Sequence, residues 1–396
     1  MPAPSRALPV LIAASTTQFA AAVGFWGFGL LAPELAAETG LNERDFGLSV
    51  TFIFMGTLLS SSLTGVFVRR YGGPGAMVRF LAAMIGAVLL TLSGTWTGTM
   101  IAAFLFGLGY GPQGPVGMTL VTQATPPERR GLYLALRHSS VPLAASSIGR
   151  LLPPLMVMAG WQSGVLSIAG VLALVLMFSL LAQSLFHVEA APARHKSTRE
   201  RFRALFVIPG NLRFLWGTGL VFALTQTGVT TFSYIYLLEV AELSAVEAGI
   251  FASNLHLTAL FGRPALGWLT DRVGNPQKVL AGIAVVTVTT LAGLLQVGPE
   301  TPPWVLIPLA AGCGIAGQCW NSVFVTAMSF KVASDDLAEL NGRAFAFLSI
   351  GWMISPPLIW ALVELSGGYA VPLVGLASIN VAVFFALLAI RDRAQD

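Results

Sequence analysis

Twelve long hydrophobic runs constrain the fold of this chain more than any other feature of its sequence. Each is about 20 residues or longer, which is the length that an α-helix needs to cross the hydrocarbon core of a bilayer. The runs cover residues 9–34, 45–68, 75–96, 99–124, 132–158, 162–186, 212–238, 246–270, 278–298, 303–329, 343–365 and 370–390. Charged residues make up only 10% of the chain and the mean hydropathy is +0.76, so most of the chain cannot face water. We therefore predict an all-α integral membrane protein with twelve transmembrane helices.

The charged residues outside these runs are divided unevenly between the two sides of the predicted membrane. Acidic residues collect in the loops after odd-numbered runs, as at Glu38, Glu242 and Glu300, whereas Lys and Arg collect after even-numbered runs, as at Arg70 and Arg130. Loops rich in Lys and Arg face the cytoplasm. The bias predicts a multi-pass protein of a bacterial-type inner (plasma) membrane with both termini cytoplasmic.

One hydrophilic stretch divides the runs into two sets of six. We predict an N-terminal six-helix bundle at residues 1–187, a cytoplasmic linker at 188–210 and a C-terminal six-helix bundle at 211–396. Parallel halves with a substrate site between them near the bilayer midplane form a known transporter architecture. The division therefore favours a transporter.

The two halves also repeat in sequence. GVFVRRYGGP aligns with GWLTDRVGNP at an offset of 202 residues, and GYGPQG in the fourth run aligns with GIAGQC in the tenth. The second alignment places Gln113 opposite Gln318. An internal repeat of this kind predicts two pseudo-symmetric bundles.

The turn after the eighth run resembles the signature of the major facilitator superfamily, Gly-x-Leu-x-Asp-Arg-x-Gly. The matching positions in the second half are Gly267, Leu269, Asp271, Arg272 and Gly274. The first half keeps Gly65, Arg70 and Gly72 but has Arg69 where the family has Asp. The resemblance covers the whole chain and implies the major facilitator fold, with transport by alternating access.

The eighth run carries a second, narrower resemblance. Gly262-Arg263-Pro264-x-x-Gly267 is similar to the corresponding helix of monocarboxylate and oxalate-type organic-anion carriers, in which this Arg binds the substrate carboxylate. Those carriers often have an acidic residue one turn before the Arg, where this chain has Ala259. The resemblance implies that Arg263 contacts an anionic substrate.

Three ionisable side chains lie deep inside hydrophobic runs. A charge at the bilayer centre costs about 2.5 kcal/mol or more, so Arg263 and Arg150 are candidate functional residues. His256 precedes Arg263 by seven residues, two helical turns, and shares its face. The fifth and eighth helices are neighbours in the family, so we predict that the three side chains meet in a cavity and bind the anion. The alternative is that Arg263 bonds backbone carbonyls and does not touch substrate.

Polar and aromatic residues recur at similar depth in the runs that line the cavity of this family, together with one in the eleventh. They are further candidates for substrate binding, and interhelical hydrogen bonding is the alternative reading. The set comprises Gln18, Tyr110, Gln113, Gln226, Tyr234, Gln318, Trp320, Asn321 and Trp352.

Charged residues near the inner ends of the helices suggest a gate. We expect Asp271 to pair with basic residues at the inner end of the fifth run, including Arg137, and Arg272 to belong to the same turn. Arg69 would pair with Glu339 in the other half. The alternative is a solvated loop with the usual excess of positive charge on the inside.

These features together favour a secondary active transporter for a small carboxylate-type organic anion. The alternative is a proton-coupled efflux transporter for drugs or metabolites with the same fold, although exporters of cations need a buried acid and none is evident. A proton could be carried by His256 or by the substrate. We expect no enzymatic activity, cofactor, metal site or nucleic-acid partner, and a monomer in the lipid bilayer.

Overall fold

The computed structural model of the chain describes residues 7–39, 47–126, 130–182, 207–329 and 334–389, with the backbone alone at some helical positions. Throughout these ranges the regular secondary structure is helical. Contacts divide the chain into two compact units, Met1–Phe202 (unit 1) and Arg203–Asp396 (unit 2). The predicted linker lies mostly outside the described residues, so its bounds stay a prediction.

Unit 1 contains seven helices in the described residues. They are α1 (Ala7–Leu30), α2 (Ala32–Thr39), α3 (Gly47–Leu90), α4 (Trp96–Tyr110), α5 (Gln113–Ala124), α6 (Arg130–Ala159) and α7 (Trp161–Ala182). The second and third hydrophobic runs both lie in α3, which is kinked at Gly72. The fourth run is divided at Gly111-Pro112 because proline lacks the N–H that the helical ladder requires.

Unit 2 also contains seven helices in its described residues. They are α8 (Arg213–Glu239), α9 (Ala245–Val273), α10 (Pro276–Leu294), α11 (Pro303–Gly314), α12 (Trp320–Ser329), α13 (Ser334–Ser366) and α14 (Ala370–Ala389). A π-helical turn, Ile315–Cys319, joins α11 to α12. The tenth run is therefore one long helix with a wider turn at its centre.

Eight helical stretches in the described residues are long and apolar enough to cross a membrane. The remaining predicted runs are also helical. Two of them are interrupted, the second forms a shorter apolar stretch at Leu48–Ser61, and α9 carries several polar and charged residues, including Arg263. Large apolar side chains such as Met158 and Leu365, 84% and 85% exposed, face outward, as a surface in contact with lipid requires. The predicted all-α membrane fold is confirmed.

The repeated turn has the same backbone feature in both units. Gly72 and Gly274, which the alignment places opposite each other, have φ values of 70° and 65°, a region that costs other L-residues roughly 1–2 kcal/mol. Gly274 ends α9 by donating its N–H to the Thr270 carbonyl. Asn275 then caps α10, and Pro276 occupies the first turn of that helix.

Glycines bring the paired helices of each unit into close contact. A Cβ on Gly107 would lie 2.0 Å from the carbonyl oxygen of Ile53, and a Cβ on Gly314 would lie 2.3 Å from that of Leu255. Ile53 and Leu255 are themselves separated by the repeat offset of 202 residues. In unit 2, Gly314 is the last residue of α11 and the π-helical turn follows it directly. The close approach of α9 to α11 therefore places this turn against α9.

Candidate functional site

Arg263, Gln318 and His256 form one hydrogen-bonded chain in unit 2. The Arg263 Nε donates to the backbone carbonyl of Gln318 at 3.1 Å, and its Nη2 donates to the Gln318 Oε1 at 3.4 Å. On the other side of the same amide, the Gln318 Nε2 lies 2.6 Å from the His256 Nδ1. Arg263 and His256, which were predicted to share one face of the eighth run, therefore meet Gln318, which was predicted separately as a polar residue of the tenth run.

The local fold explains how Gln318 reaches both partners. Gln318 lies on the π-helical turn, a rare element that occurs frequently at functional sites. Seven residues separate His256 from Arg263 on α9, so both side chains lie on the face that meets this turn. A single side chain on the neighbouring helix can therefore contact both.

The bond pattern fixes the protonation state that His256 needs for this contact. Because the Gln318 Oε1 accepts from Arg263, its Nε2 faces His256, and an amide nitrogen can only donate. The Nδ1 atom must therefore accept, which requires the neutral imidazole with its hydrogen on Nε2. His256 is buried, whereas Arg263 is partly exposed.

A second polar cluster in unit 2 converges on Gln226. Its Oε1 accepts from the Trp320 Nε1 at 3.2 Å, the Trp352 Nε1 at 3.2 Å and the Asn321 Nδ2 at 3.5 Å. Four predicted binding residues are thus brought together, in the interhelical pattern that was the alternative reading. Tyr234, eight residues after Gln226 on α8, is buried.

Unit 1 holds a third cluster around Arg137, which is fully buried. Its Nη2 donates to the Gln18 Oε1 and to the backbone carbonyl of Gln113, both at 2.8 Å. Tyr110 lies within electrostatic reach of the guanidinium and stacks on Phe25 with ring centroids 5.1 Å apart. Arg137 was predicted at a cytoplasmic gate, but its bonds join it to the predicted binding residues of its own unit.

The neighbourhood of Arg137 depends on Gly117 of α5, a residue that the sequence did not single out. A Cβ there would lie 2.4 Å from Nη2 and 2.6 Å from Nε of the guanidinium. The sequence did contain one signal, the charged Arg137 inside the fifth run. A buried side chain of this size requires a small residue on the helix that packs against it. Without a contact map, however, no sequence rule identifies which glycine provides that space.

The other predicted site residues lie apart from these clusters. Arg150 on α6 is exposed, and its convergence with Arg263 stays a prediction. At the C-terminal end of α9, Asp271 is exposed, and the Arg272 guanidinium lies over the Trp268 ring at 5.4 Å. The side chains of Arg69 and Glu339 lie outside the described residues. The gate therefore stays a prediction.

Comparison with known sequences identifies the family. Residues 14–356 match the model of the Major Facilitator Superfamily. The chain is 24% identical over 356 residues to the probable nitrate/nitrite transporter NarK2 of Mycobacterium tuberculosis, covering 85% of each protein. It is 27% identical over 365 residues to the 4-hydroxybenzoate transporter PcaK of Pseudomonas putida, covering 82% of this chain and 77% of PcaK.

Comparison with solved structures agrees on the fold. A POT family transporter in complex with 5-aminolevulinic acid superposes with a TM-score of 0.79 at 15% identity, over 98% of this chain and 96% of that one. The family model and the relatives indicate a transporter rather than an enzyme. This multi-pass membrane chain belongs to the Major Facilitator Superfamily.

Proposed function

We propose that this protein is a secondary active transporter for a small organic anion of the carboxylate type, and that Arg263 binds the anion. The observation that carries the proposal is the partly exposed Arg263 guanidinium, which Gln318 holds from one side inside the long helix α9. A guanidinium suits a planar oxyanion because its fork makes two parallel charge-assisted hydrogen bonds.

Gln318 and His256 support this role by orienting the charge. The backbone carbonyl and the amide oxygen of Gln318 fix two nitrogens of Arg263, and His256 fixes the amide in turn. A site that is held in place before the ligand arrives loses less conformational entropy on binding. The names of the relatives point the same way, since nitrate, nitrite and 4-hydroxybenzoate are all small anions.

The proposed setting follows from the charge pattern and the family. The protein would act as a monomer in a bacterial inner membrane with both termini in the cytoplasm, and a proton could accompany the anion. In this structure His256 contacts Gln318 through its Nδ1, and a coupled proton could travel on His256 or on the substrate. Exchange of one anion for another needs no titrating residue.

A thermal-shift titration of the purified protein tests the proposal. Sodium benzoate, 4-hydroxybenzoate and nitrate would be compared at constant ionic strength with sodium chloride as the reference. We expect at least one of them to raise the melting temperature of the wild type and of Arg213→Ala, which removes an equal charge from the exposed start of α8. Arg263→Ala should not respond. An equal response from Arg263→Ala, or none from the wild type, would refute the proposal.

A further inference from the structure

Within the described residues, the Arg137 guanidinium in unit 1 has hydrogen bonds at only one of its three nitrogens. Nη2 uses both of its hydrogens, on Gln18 and on Gln113. Nε and Nη1 are buried and have no hydrogen-bond partner within the described part of the chain. The Gln113 Oε1, on the adjoining helix, is buried without a partner there too.

A buried charge with open donors is an expensive arrangement. A guanidinium does not lose its proton in a protein, so burial cannot neutralise Arg137 as it can a lysine or a carboxyl group. The groups that accept its hydrogen bonds on Gln18 and Gln113 are neutral, so they leave the positive charge uncompensated within this cluster. An apolar side chain of similar volume would fill the same space at lower cost, which indicates that the charge has a role other than packing.

The chain is built to accommodate this group at the junction of three helices. Gln18 comes from α1, Gln113 and Gly117 come from α5, and Arg137 comes from α6. Only glycine at position 117 leaves room for the guanidinium against α5. The open Nε–H and Nη1–H groups remain available to oxygen acceptors, and a planar oxyanion matches the plane of a guanidinium.

We propose that Arg137, together with Gln18 and Gln113, forms an anion-binding site inside unit 1. Its ligand is a planar, singly charged oxyanion, a carboxylate or nitrate, which binds when α5 and α6 separate enough to admit it. This proposal rests on the proposed anion transport, because the transported anion is the ligand of the site. It adds a second cationic contact, one that is closed to solvent in this conformation.

The substitution Gln18→Glu tests the site without removing its charge. The new carboxylate would take the place of the Gln18 amide oxygen, 2.8 Å from the Arg137 Nη2, and would act as a built-in anion. We expect the unliganded variant to melt at a higher temperature than the wild type. Its affinity for benzoate or nitrate, measured by thermal-shift titration, should fall by at least about tenfold. Gln162→Glu, the same change at an exposed position on α7, should match the wild type.

Gly117→Ala provides a second test that leaves every charge unchanged. Its methyl group would displace the guanidinium, so anion affinity should fall several-fold in a variant whose folding is verified by circular dichroism. Wild-type affinity in Gln18→Glu would overturn the site and leave the proposed function intact. Absence of an anion response in the wild type would overturn both, so the two failures are distinguishable.

Discussion

The two units each place a guanidinium against the backbone carbonyl of an equivalent glutamine, but they obtain it from different helices. In unit 1 the fifth run supplies Arg137 to the carbonyl of Gln113, and in unit 2 the eighth run supplies Arg263 to that of Gln318. The repeat thus preserves the glutamine whose carbonyl accepts the hydrogen bond, whereas the arginine that donates it comes from a different helix in each unit. Arg137 is fully buried whereas Arg263 is partly exposed, so of these two guanidiniums Arg263 is the more accessible in this conformation.

Of the substitutions that distinguish the two units, Arg263→Ala is expected to have the largest effect, and that effect is on anion affinity. Arg263→Ala removes charge-assisted hydrogen bonds worth about 1.5–3 kcal/mol, which corresponds to a loss of affinity of roughly ten- to hundredfold. The melting temperature should change little, because Arg263 is only partly buried. Arg263→Lys should recover a small part of the affinity, since an ammonium lacks the planar fork. Titration of the purified variants measures both quantities.

A pair of glycine substitutions compares the packing at Gly117, which contacts the Arg137 guanidinium, with the packing at Gly262, which precedes Arg263 in sequence. Gly117→Ala would force a methyl group against the buried Arg137 and should cost about 1–3 kcal/mol of unfolding free energy. Gly262→Ala, next to Arg263 in sequence, would meet one side-chain atom, the Cys319 Sγ at 2.8 Å, and should cost less. Thermal unfolding measures the difference. Equal destabilisation would contradict the tighter packing of unit 1.

Substitutions of His256 test whether the hydrogen bond between Gln318 and a neutral acceptor helps to orient Arg263. His256→Leu removes the acceptor for the Gln318 Nε2, so anion affinity should fall about two- to tenfold, as for a neutral hydrogen bond of about 0.5–1.5 kcal/mol. His256→Asn offers an oxygen in a similar place and should retain most of the affinity. The dependence of affinity on pH should be the same in His256→Asn and in the wild type. A change in that dependence would show that His256 titrates during binding.

The smallest effect is expected in the cluster around Gln226 in unit 2. Trp352→Phe removes one of the three donors to the Gln226 Oε1 and leaves the bonds from Trp320 and Asn321. We expect at most about a threefold change in anion affinity, because the acceptor stays bonded. A tenfold loss in the same titration would instead assign Trp352 to the ligand.

The sequence was sufficient for the fold because length and hydrophobicity dictate membrane helices. The repeat also located the two turn glycines, Gly72 and Gly274, since a positive φ requires a residue without a Cβ. The second and third runs were predicted as separate helices, and the non-helical backbone of Gly72 does separate them inside α3.

The candidate site was only partly predictable. Helical periodicity alone placed His256 and Arg263 on one face, but their link through Gln318 requires a π-helical turn, which no residue pattern in GIAGQC specifies. Arg137 was assigned to the inner end of its helix from its sequence position. Its contact with Gln18, 119 residues away, depends on tertiary packing.

Counterflow in proteoliposomes tests the central claim, anion transport through Arg263, most directly. Vesicles containing the purified protein would be loaded with unlabelled 4-hydroxybenzoate or nitrate and diluted into a trace of the labelled anion. We predict transient accumulation of label with the wild type and with Arg213→Ala, and none with Arg263→Ala. Accumulation by Arg263→Ala at the wild-type rate, or no accumulation of either anion by the wild type, would contradict the account.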